Sequence, residues 1–241
     1  MLGSFLELGV VTTQIRESFT FYEQLGFVPA IAGDIWSHPY GVLVHGGLAL
    51  GLHANLDTSP ALTFVKPGVV QLARELERRG VELQVRRVEA DSFNQIAFDA
   101  PGGLVVRVLE ARTFSPPSTV PLRSAALGRF EQFSIPVRDP AAAAQFWSEL
   151  GYPADVDEEP WPRHSIGFGR MRLALHRKTL SSEPLLVFRT QSVPASLQHF
   201  AQFSVATRKS GLGLEGEPHV LIETPEESLI LLHGSTRHDL R

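Results

Sequence analysis

The sequence FYEQLGF at residues 21–27 recurs as FWSELGY at residues 146–152, 125 positions further along the chain. Both copies contain an aromatic pair, a leucine and a glycine in the same order, and a Pro-Ala step follows each copy, at 29–30 and 153–154. Internal repeats are examined first because a long period sets the architecture of the whole chain. The protein is therefore expected to consist of two similar halves.

Each half divides again into a strand, a helix and several short strands. Leu6, Leu8 and Val10 alternate with Glu7 and Gly9, a period of two that predicts a half-buried strand. A helix is predicted over about 14–25, and the same order of elements returns three more times. The predicted fold class is therefore α+β, with four βαβββ units at 4–55, 60–112, 129–178 and 184–235.

Short signals mark the ends of the predicted helices. Asp139-Pro140 and Ser192-Val193-Pro194 each place a capping residue just before a helix, and Pro67 suits a first helical position. Gly26, Gly80 and Gly151 follow apolar stripes and are expected to end helices.

A Pro- and Ser-rich segment separates the two halves. Residues 114–128, FSPPSTVPLRSAALG, contain three prolines and three serines and show neither a strand period nor a helix period. We interpret this segment as a linker between an N-terminal domain at 1–113 and a C-terminal domain at 129–241.

The composition limits the classes of partner. The 241 residues are 43% hydrophobic and carry a formal net charge of −4, which is typical of a globular protein and does not favour binding to nucleic acid. No apolar run is long enough to cross or enter a membrane. The chain has no cysteine, which excludes thiolate metal sites and fits a cytoplasmic location. Both a monomer with paired domains and a homodimer remain open.

Four stretches together resemble the vicinal oxygen chelate superfamily, which includes glyoxalase I, bleomycin-resistance proteins, fosfomycin-resistance enzymes and extradiol dioxygenases. They are ELGVVTTQIRESFTFYEQLGF (7–27), LARELERRGV (72–81), FDAPGGLVVRVLEAR (98–112) and QFSIPVRDPAAAAQFWSELGY (132–152). The resemblance implies that two units pair into a cup of strands that holds the functional site. This chain is then expected to form two glyoxalase-like domains with cup-shaped mixed sheets.

The resemblance also implies a metal site that this chain does not preserve. Enzymes of the superfamily bind one divalent metal through a His or Gln on the first strand of each unit and a Glu on the last strand. The matching positions are Glu7, Gly51, Ala61 and Arg107 in the first cup and Gln132, Ala174, Leu185 and Leu231 in the second. One potential ligand per cup cannot hold a metal, and Arg107 adds a fixed positive charge. We therefore expect no metal and no other cofactor.

The last strand of each unit has one apolar row, which is expected to pack on the helices. These rows are Leu48, Leu50 and Leu52; Leu104, Val106 and Val108; Met171, Leu173 and Leu175; and Ser228, Ile230 and Leu232. The opposite rows are mixed and are expected to line the cups or face solvent.

Several polar residues of these mixed rows are candidate ligand-binding groups. Glu7 and Arg107 either form a buried ion pair, bind a ligand, or lie at a solvated edge. Gln132 either binds a small molecule or is a satisfied interior amide. His53 and His176, at matched strand ends, suggest a two-His metal site, but rim positions are favoured because no carboxylate accompanies them.

Aromatic and charged residues cluster in the segments that are expected to form the cup mouths. They are Trp36, His38, Tyr40 and His45 in the first half and Trp161, Arg163 and His164 in the second. Arg172, on the mixed row of the last strand of the third unit, is a further candidate. Aromatic side chains favour a flat organic ligand. The alternative is a tryptophan that plugs an empty cup.

The preferred function is metal-free binding of a small organic, possibly aromatic, molecule, similar to the way in which bleomycin-resistance proteins sequester a ligand. One alternative is a lyase, isomerase or oxygenase with a non-standard site, for example acid–base chemistry by a desolvated Glu7. Another is a regulatory or protein-interaction module whose cups are filled by Trp36 and Trp161. No catalytic residue is assigned, and whether the protein is an enzyme stays open.

Overall fold

The computed structural model describes residues 1–31, 36–56, 59–89, 93–112, 126–209, 214 and 218–234. Within these ranges the chain forms four helices and two eight-stranded mixed sheets, one from each half of the sequence. None of the helices in these ranges has the length and apolar character needed to span a membrane.

The first half contains two strand–helix–strand–strand–strand units. The first unit comprises β1 (Ser4–Val11), α1 (Ile15–Gln24), β2 (Val28–Ala30), β3 (Tyr40–His45) and β4 (Leu48–His53). The second unit comprises β5 (Ala61–Lys66), α2 (Val69–Arg78), β6 (Leu83–Arg87), β7 (Gln95–Ala100) and β8 (Leu104–Glu110).

The second half repeats this order. Its first unit comprises β9 (Arg129–Val137), α3 (Pro140–Glu149), β10 (Ala154–Asp157), β11 (Arg163–Phe168) and β12 (Met171–Arg177). Its second unit comprises β13 (Leu185–Thr190), α4 (Val193–Ala201), β14 (Thr207–Arg208), β15 (His219–Glu223) and β16 (Leu229–Gly234).

The first strands of paired units join the units into one sheet. The strand orders are β2-β3-β4-β1-β5-β8-β7-β6 and β10-β11-β12-β9-β13-β16-β15-β14. In each sheet the two central strands run antiparallel to each other, and each runs parallel to the last strand of its own unit. The prediction of an α+β fold with four βαβββ units in two tandem halves is confirmed.

Two helices begin as the sequence predicts, and one does not. The Asp139 carboxylate accepts hydrogen bonds from the amides of Ala141 and Ala142 at 3.0 and 3.1 Å, and the Ser192 hydroxyl accepts one from Ala195 at 3.3 Å. The expectation that Pro67 opens α2 is wrong. That helix begins at Val69. The Glu110 carboxylate on β8 accepts hydrogen bonds from the backbone amides of Gly68 and Val69 at the start of the helix.

The helix-covered faces of both sheets share one apolar core. The predicted rows of β4, β8, β12 and β16 lie in this core, except for Ser228, whose hydroxyl is 2.7 Å from that of Thr224. The Tyr152 hydroxyl accepts a hydrogen bond from the Leu2 amide at 3.0 Å across the two halves. Most of the predicted linker, residues 114–125, lies outside the described residues, whereas Ala126 and Leu127 are buried in the core.

His45 is part of this core and not of the first cup mouth, where the sequence suggested it. Its ring lies between Phe27 and Phe188, at centroid distances of 5.0 and 5.1 Å, so it connects the two halves. Burial lowers the pKa of His45 to about 4, because an imidazolium ion would be desolvated there.

This buried histidine predicts a loss of stability in acid. Between about pH 6.5 and pH 4 the unfolded chain binds a proton at residue 45 and the folded protein does not, so stability falls as the pH falls through this window. The lowered pKa corresponds to about 3 kcal/mol at pH 4. In denaturant unfolding, the free energy of unfolding of the wild type should fall relative to that of His45→Leu by about this amount between pH 7 and pH 4. Parallel pH profiles would contradict the prediction.

Candidate functional site

The strand registers fix which residues line the two cups. Leu8 on β1 pairs with Leu50 on β4 and with Leu62 on β5, and Leu62 pairs with Val106 on β8. These four side chains point into the core, so their neighbours at Glu7, Gly51, Ala61 and Arg107 lie on the opposite face. The same pairing in the second sheet places Gln132, Ala174, Leu185 and Leu231 at equivalent positions.

In the first cup, the four residues that correspond to the metal ligands of vicinal oxygen chelate enzymes do not fit a metal ion. A Cβ atom at Gly51 would lie 2.6 Å from Glu7 Oε2 and 2.7 Å from His53 Nε2, so a side chain could extend from this position only if the ends of these two side chains moved. Ala61 offers no donor atom, and Arg107, which is 6% exposed, holds a permanent cation on the cup face. These four positions therefore cannot form a cation site.

In the second cup the same positions are largely apolar. Leu185 and Leu231 lie in an apolar cluster, Ala174 has no donor atom, and the side-chain oxygen of Gln132 accepts a hydrogen bond from Arg163 Nε at 3.1 Å. Across the described ranges, no group of three or more His, Cys, Asp and Glu side chains is arranged to bind a metal.

Glu7 pairs with a histidine and not with Arg107. Glu7 Oε1 lies 3.0 Å from His53 Nε2, and Nδ1 of His53 lies 2.9 Å from Nε2 of His38. The expectation of a Glu7–Arg107 ion pair is therefore wrong, and so is a rim position for His53, which is fully buried. The misassignment arose because His53 on β4 pairs in register with Val11, four positions along β1 from Glu7. The two side chains meet over Gly51, which has no side chain of its own to separate them.

Aromatic rings surround the carboxylate–imidazole pair. Tyr40 stacks on His53 with a centroid distance of 5.6 Å and an interplanar angle of 8°, and Trp36 contacts the His53 ring edge-on at 5.2 Å. Trp36 also donates a hydrogen bond from Nε1 to Glu7 Oε1 at 3.3 Å. The Arg107 guanidinium lies 5.9 Å from the centre of the Trp36 ring. The structure thus brings together Trp36, His38, Tyr40, His53, Glu7 and Arg107 in one cluster.

A cavity of about 700 Å³ opens beside this site, a size that accommodates a small organic ligand. Trp36, His38 and Arg107 contribute to its wall. Among the described residues, the wall includes the cations of Arg107 and Arg87 and no carboxylate. Trp36 borders the cavity without filling it, in contrast to the alternative that it plugs the cup.

Trp161 fills the second cup. It is 4% exposed and packs with Leu185, Val187, Leu214, Leu221, Leu229 and Leu231 in a cluster separate from the main core. The Arg163 guanidinium lies 5.4 Å from the centre of the Trp161 ring and donates to the Trp161 carbonyl at 3.1 Å. The plug predicted as the alternative for Trp161 is therefore present.

His176 is buried in the second cup and does not lie at its rim as expected. Its Nδ1 atom is 2.8 Å from the Ser134 hydroxyl, and burial lowers its pKa to about 4. His53 and His176 belong to different sheets and each bonds within its own sheet, so the structure does not bring them together as a two-His site.

The two remaining predicted residues of the second half lie apart from each other. His164 shares the strand face of Leu175, its partner on β12, and borders a cavity of about 480 Å³ beside Asp139 at the start of α3. Arg172 is exposed and borders a smaller cavity of about 290 Å³ that Arg163 and Gln132 also line.

A further polar cluster in the second half was missed from the sequence. Glu131 Oε2 lies 2.8 Å from His233 Nε2, and Oε1 lies 2.7 Å from Arg189 Nε. Burial raises the pKa of the Glu131 carboxyl, but the His233 hydrogen bond and the charges of Arg189 and Arg129 outweigh burial and lower it. An irregularity in the pairing of β9 with β13 next to Glu131 breaks the alternation on which the prediction relied.

The far wall of the first cavity was also missed. Arg87, Phe93, Asn55 and Leu56 line it together with Val85 and Gln95. The β6–β7 hairpin supplies most of these residues. A search of positively charged residues on edge strands would have drawn attention to Arg87.

Comparisons with known proteins were made at three levels. No protein-family model matches the sequence, and no curated protein matches it. Solved structures do match. The Mn(II)-bound glyoxalase from Novosphingobium aromaticivorans superposes with a TM-score of 0.62 at 11% identity, over 97% of this chain and 82% of the other.

Two dioxygenase structures also superpose on this chain. Homoprotocatechuate 2,3-dioxygenase from Brevibacterium fuscum, in complex with 3,4-dihydroxyphenylacetate, gives a TM-score of 0.62 at 14% identity over 97% of this chain and 80% of that one. A catechol 2,3-dioxygenase gives 0.57 at 12% identity over 98% and 94%. At this level of identity the likeness concerns the backbone architecture. The chain therefore shares the fold of these glyoxalase and dioxygenase structures along nearly its entire length, as the resemblance in sequence implied.

Proposed function

We propose that this protein binds a small aromatic organic anion in the first cup without the help of a metal ion. The observation that carries the proposal is the cavity of about 700 Å³ whose described wall combines Trp36 and Phe93 with the cations of Arg107 and Arg87. Concave sites of this size with a few polar groups are typical of small-molecule binding.

Arg107 is the main reason to expect an anion. Its side chain is buried, and a guanidinium group in a site of low solvent access interacts more strongly with a carboxylate than it does on the surface. Its planar fork also matches the two oxygens of a carboxylate. The ring of Trp36, beside Arg107, offers a face for an aromatic group of the ligand.

The contrast between the two cups supports a single binding site. Trp161 and the leucines around it occupy the second cup, whereas the first remains open next to Trp36. The similar dioxygenase from Brevibacterium fuscum is described with 3,4-dihydroxyphenylacetate, which is itself an aromatic carboxylate. We carry only this chemical class over to the present chain.

The absence of a metal is part of the proposal. Of the positions that correspond to metal ligands, only Glu7 and Gln132 have suitable oxygen atoms, and these bond to His53 and Arg163. The others hold an arginine, a glycine whose side-chain space is occupied by Glu7 and His53, and apolar residues. Sequestration of the ligand, as in bleomycin-resistance proteins, and a cytoplasmic location complete the proposal.

Ligand binding should depend on charge. We expect phenylacetate to raise the melting temperature and to bind with one site per chain in calorimetry, and the neutral phenylacetamide to bind more weakly. Replacing Arg107 by Met should weaken phenylacetate binding about tenfold or more, because a charge-assisted hydrogen bond contributes about 1.5–3 kcal/mol.

A pair of adjacent arginines provides the control for this experiment. Arg87 lines the cavity. Arg86, the preceding residue on β6, forms an ion pair with Glu77, with 3.0 Å between Nε and Oε1. Arg87→Gln should weaken phenylacetate binding, and Arg86→Gln should leave it unchanged. Equal affinity of wild type and Arg107→Met, or equal affinity for the acid and the amide, would defeat the proposal.

Metal removal provides a separate test. Untagged protein purified without chelator should contain far less than one equivalent of iron, manganese, zinc or nickel, and treatment with EDTA should change neither its melting temperature nor its affinity for phenylacetate. Stoichiometric metal, or a loss of binding on chelation that added metal restores, would overturn the metal-free assignment.

A further inference from the structure

A smaller cavity in the second half is bordered mainly by arginine side chains. It measures about 290 Å³, and among the described residues of its wall Glu131 is the one carboxylate. Guanidinium groups stay charged in proteins and repel one another, so such a wall favours the entry of an anion. We refer to the four arginines of this wall as the arginine cluster: Arg129, Arg163, Arg172 and Arg189.

The strand arrangement of the second sheet assembles the arginine cluster. Its members come from four strands, β9, β11, β12 and β13, and all border the same cavity. Phe130 and Phe133 on β9 both lie in the core although they are three positions apart, because the pairing of β9 with β13 is irregular there. The two residues between them, Glu131 and Gln132, both border the cavity. Irregularities of this kind re-aim side chains and are frequent next to functional sites.

Gln132 presents a hydrogen-bond donor to the cavity. The residue is 3% exposed, and its side-chain oxygen accepts from Arg163 Nε at 3.1 Å. Because a guanidinium can only donate, the amide oxygen must face Arg163, which leaves the amide nitrogen for another partner. None of the described residues accepts a hydrogen bond from this nitrogen. A polar group on a side chain buried to this degree is normally satisfied, so the nitrogen points to an acceptor inside the cavity.

The carboxylate of the wall offsets only part of the positive charge. Glu131 Oε1 lies 2.7 Å from Arg189 Nε and 3.4 Å from Arg129 Nη2, so this one carboxylate is shared by two arginines. Arg172 is exposed and makes neither an ion pair nor a hydrogen bond with the described residues. Its guanidinium is therefore available to a ligand.

Arg163 is fixed in position by the protein. Its side chain is 11% exposed, and the guanidinium donates to the Trp161 carbonyl at 3.1 Å and lies 3.6 Å from the Asp157 carboxylate. Burial lowers the pKa of the Arg163 guanidinium although Asp157 opposes this effect, and the charges of the neighbouring arginines add to the lowering. An anion in the cavity would relieve this repulsion.

From this geometry we infer a second binding site: the cavity bordered by the arginine cluster and Gln132 binds the phosphate group of a small molecule. A phosphate group carries about two negative charges and three acceptor oxygens, so it can accept from guanidinium and amide donors on several sides at once. A monocarboxylate has one charge and two oxygens and would leave most of these donors unused. The volume of about 290 Å³ limits the ligand to a phosphate with a short substituent. This inference does not rest on the proposed function, which concerns the first cup.

Inorganic phosphate and glycerol 3-phosphate are suitable probes because neither has an aromatic ring for the first cup. In a phosphate-free buffer we expect calorimetry to show one site per chain for phosphate, and we expect phosphate to raise the melting temperature. Acetate at the same ionic strength should bind at least tenfold more weakly. The affinity for phosphate should fall as sodium chloride is added, because the interaction is between charges.

Arg172→Gln is the central variant, because Arg172 is exposed and its replacement does not disturb the core. It should weaken phosphate binding about tenfold or more through the loss of a charge-assisted hydrogen bond. Arg177→Gln is the matched control: Arg177 is an exposed arginine on the same strand, and its partner Val137 lies in the core, so it belongs to the opposite face. This variant should bind phosphate like the wild type.

Gln132→Glu provides a second variant inside the cavity. The new carboxylate can still accept from Arg163, but it removes the amide donor and adds a negative charge, so phosphate binding should be lost. If this buried variant fails to fold, Arg172→Gln still decides the question. Phosphate affinity that is unchanged in Arg172→Gln, or that falls equally in Arg177→Gln, would overturn the inference, and so would equal affinity for acetate.

The same titrations distinguish the source of the phosphate group and separate this site from the first cup. Tighter binding of glycerol 3-phosphate than of inorganic phosphate would support a phosphate ester as the ligand, and the reverse order would support free phosphate. Arg107→Met should leave phosphate binding unchanged, and Arg172→Gln should leave phenylacetate binding unchanged. Loss of phosphate binding in Arg107→Met alone would overturn this second site, whereas failure of phenylacetate to bind would overturn only the proposed function.

Discussion

The antiparallel pairing of the first strands of neighbouring units is the constraint on which the rest of the structure depends. β1 pairs with β5, and β9 with β13, so each half becomes one sheet with the last strands of both units beside its centre. Because side chains alternate between faces, this single pairing sends Leu8, Leu50, Leu62 and Val106 into the core. It also brings Glu7, Gly51 and Arg107 into one cup.

The two cups share this strand arrangement but are lined by different kinds of residue. The first keeps polar groups that hydrogen-bond to each other and an open cavity whose described wall includes Arg107 and Arg87. In the second, Trp161 packs with leucine side chains at the equivalent place, which adds buried apolar area. The aromatic-anion site that we propose therefore lies in the first half.

Much of the fold could be predicted from the sequence because its signals are local. The repeated FYEQLGF and FWSELGY segments, the period of two in the strands and the caps at Asp139 and Ser192 each act within a few residues. The cap of α2 escaped prediction because Glu110 reaches it from a strand that lies some forty positions away in the sequence.

The sequence indicated which residues face the cup but not which of them contact each other. Strand alternation placed Glu7, His53 and Arg107 on the cup face correctly, but which of them touch depends on the stagger between strands, and that stagger has no local signal. Glu131 was hidden by an irregular strand pairing, and His45 was misplaced because the contact between Phe27 and Phe188 is formed by opposite halves of the chain.

Gly51 has a consequence for anyone who wishes to build a metalloenzyme on this scaffold. Since Glu7 and His53 occupy the space above its Cα atom, installing a glutamate at residue 51 alone would force apart the best-connected polar pair of the cup. A metal centre would require coordinated replacement at residues 7, 51, 53 and 107. The present arrangement is therefore separated from metal chemistry by more than one residue change.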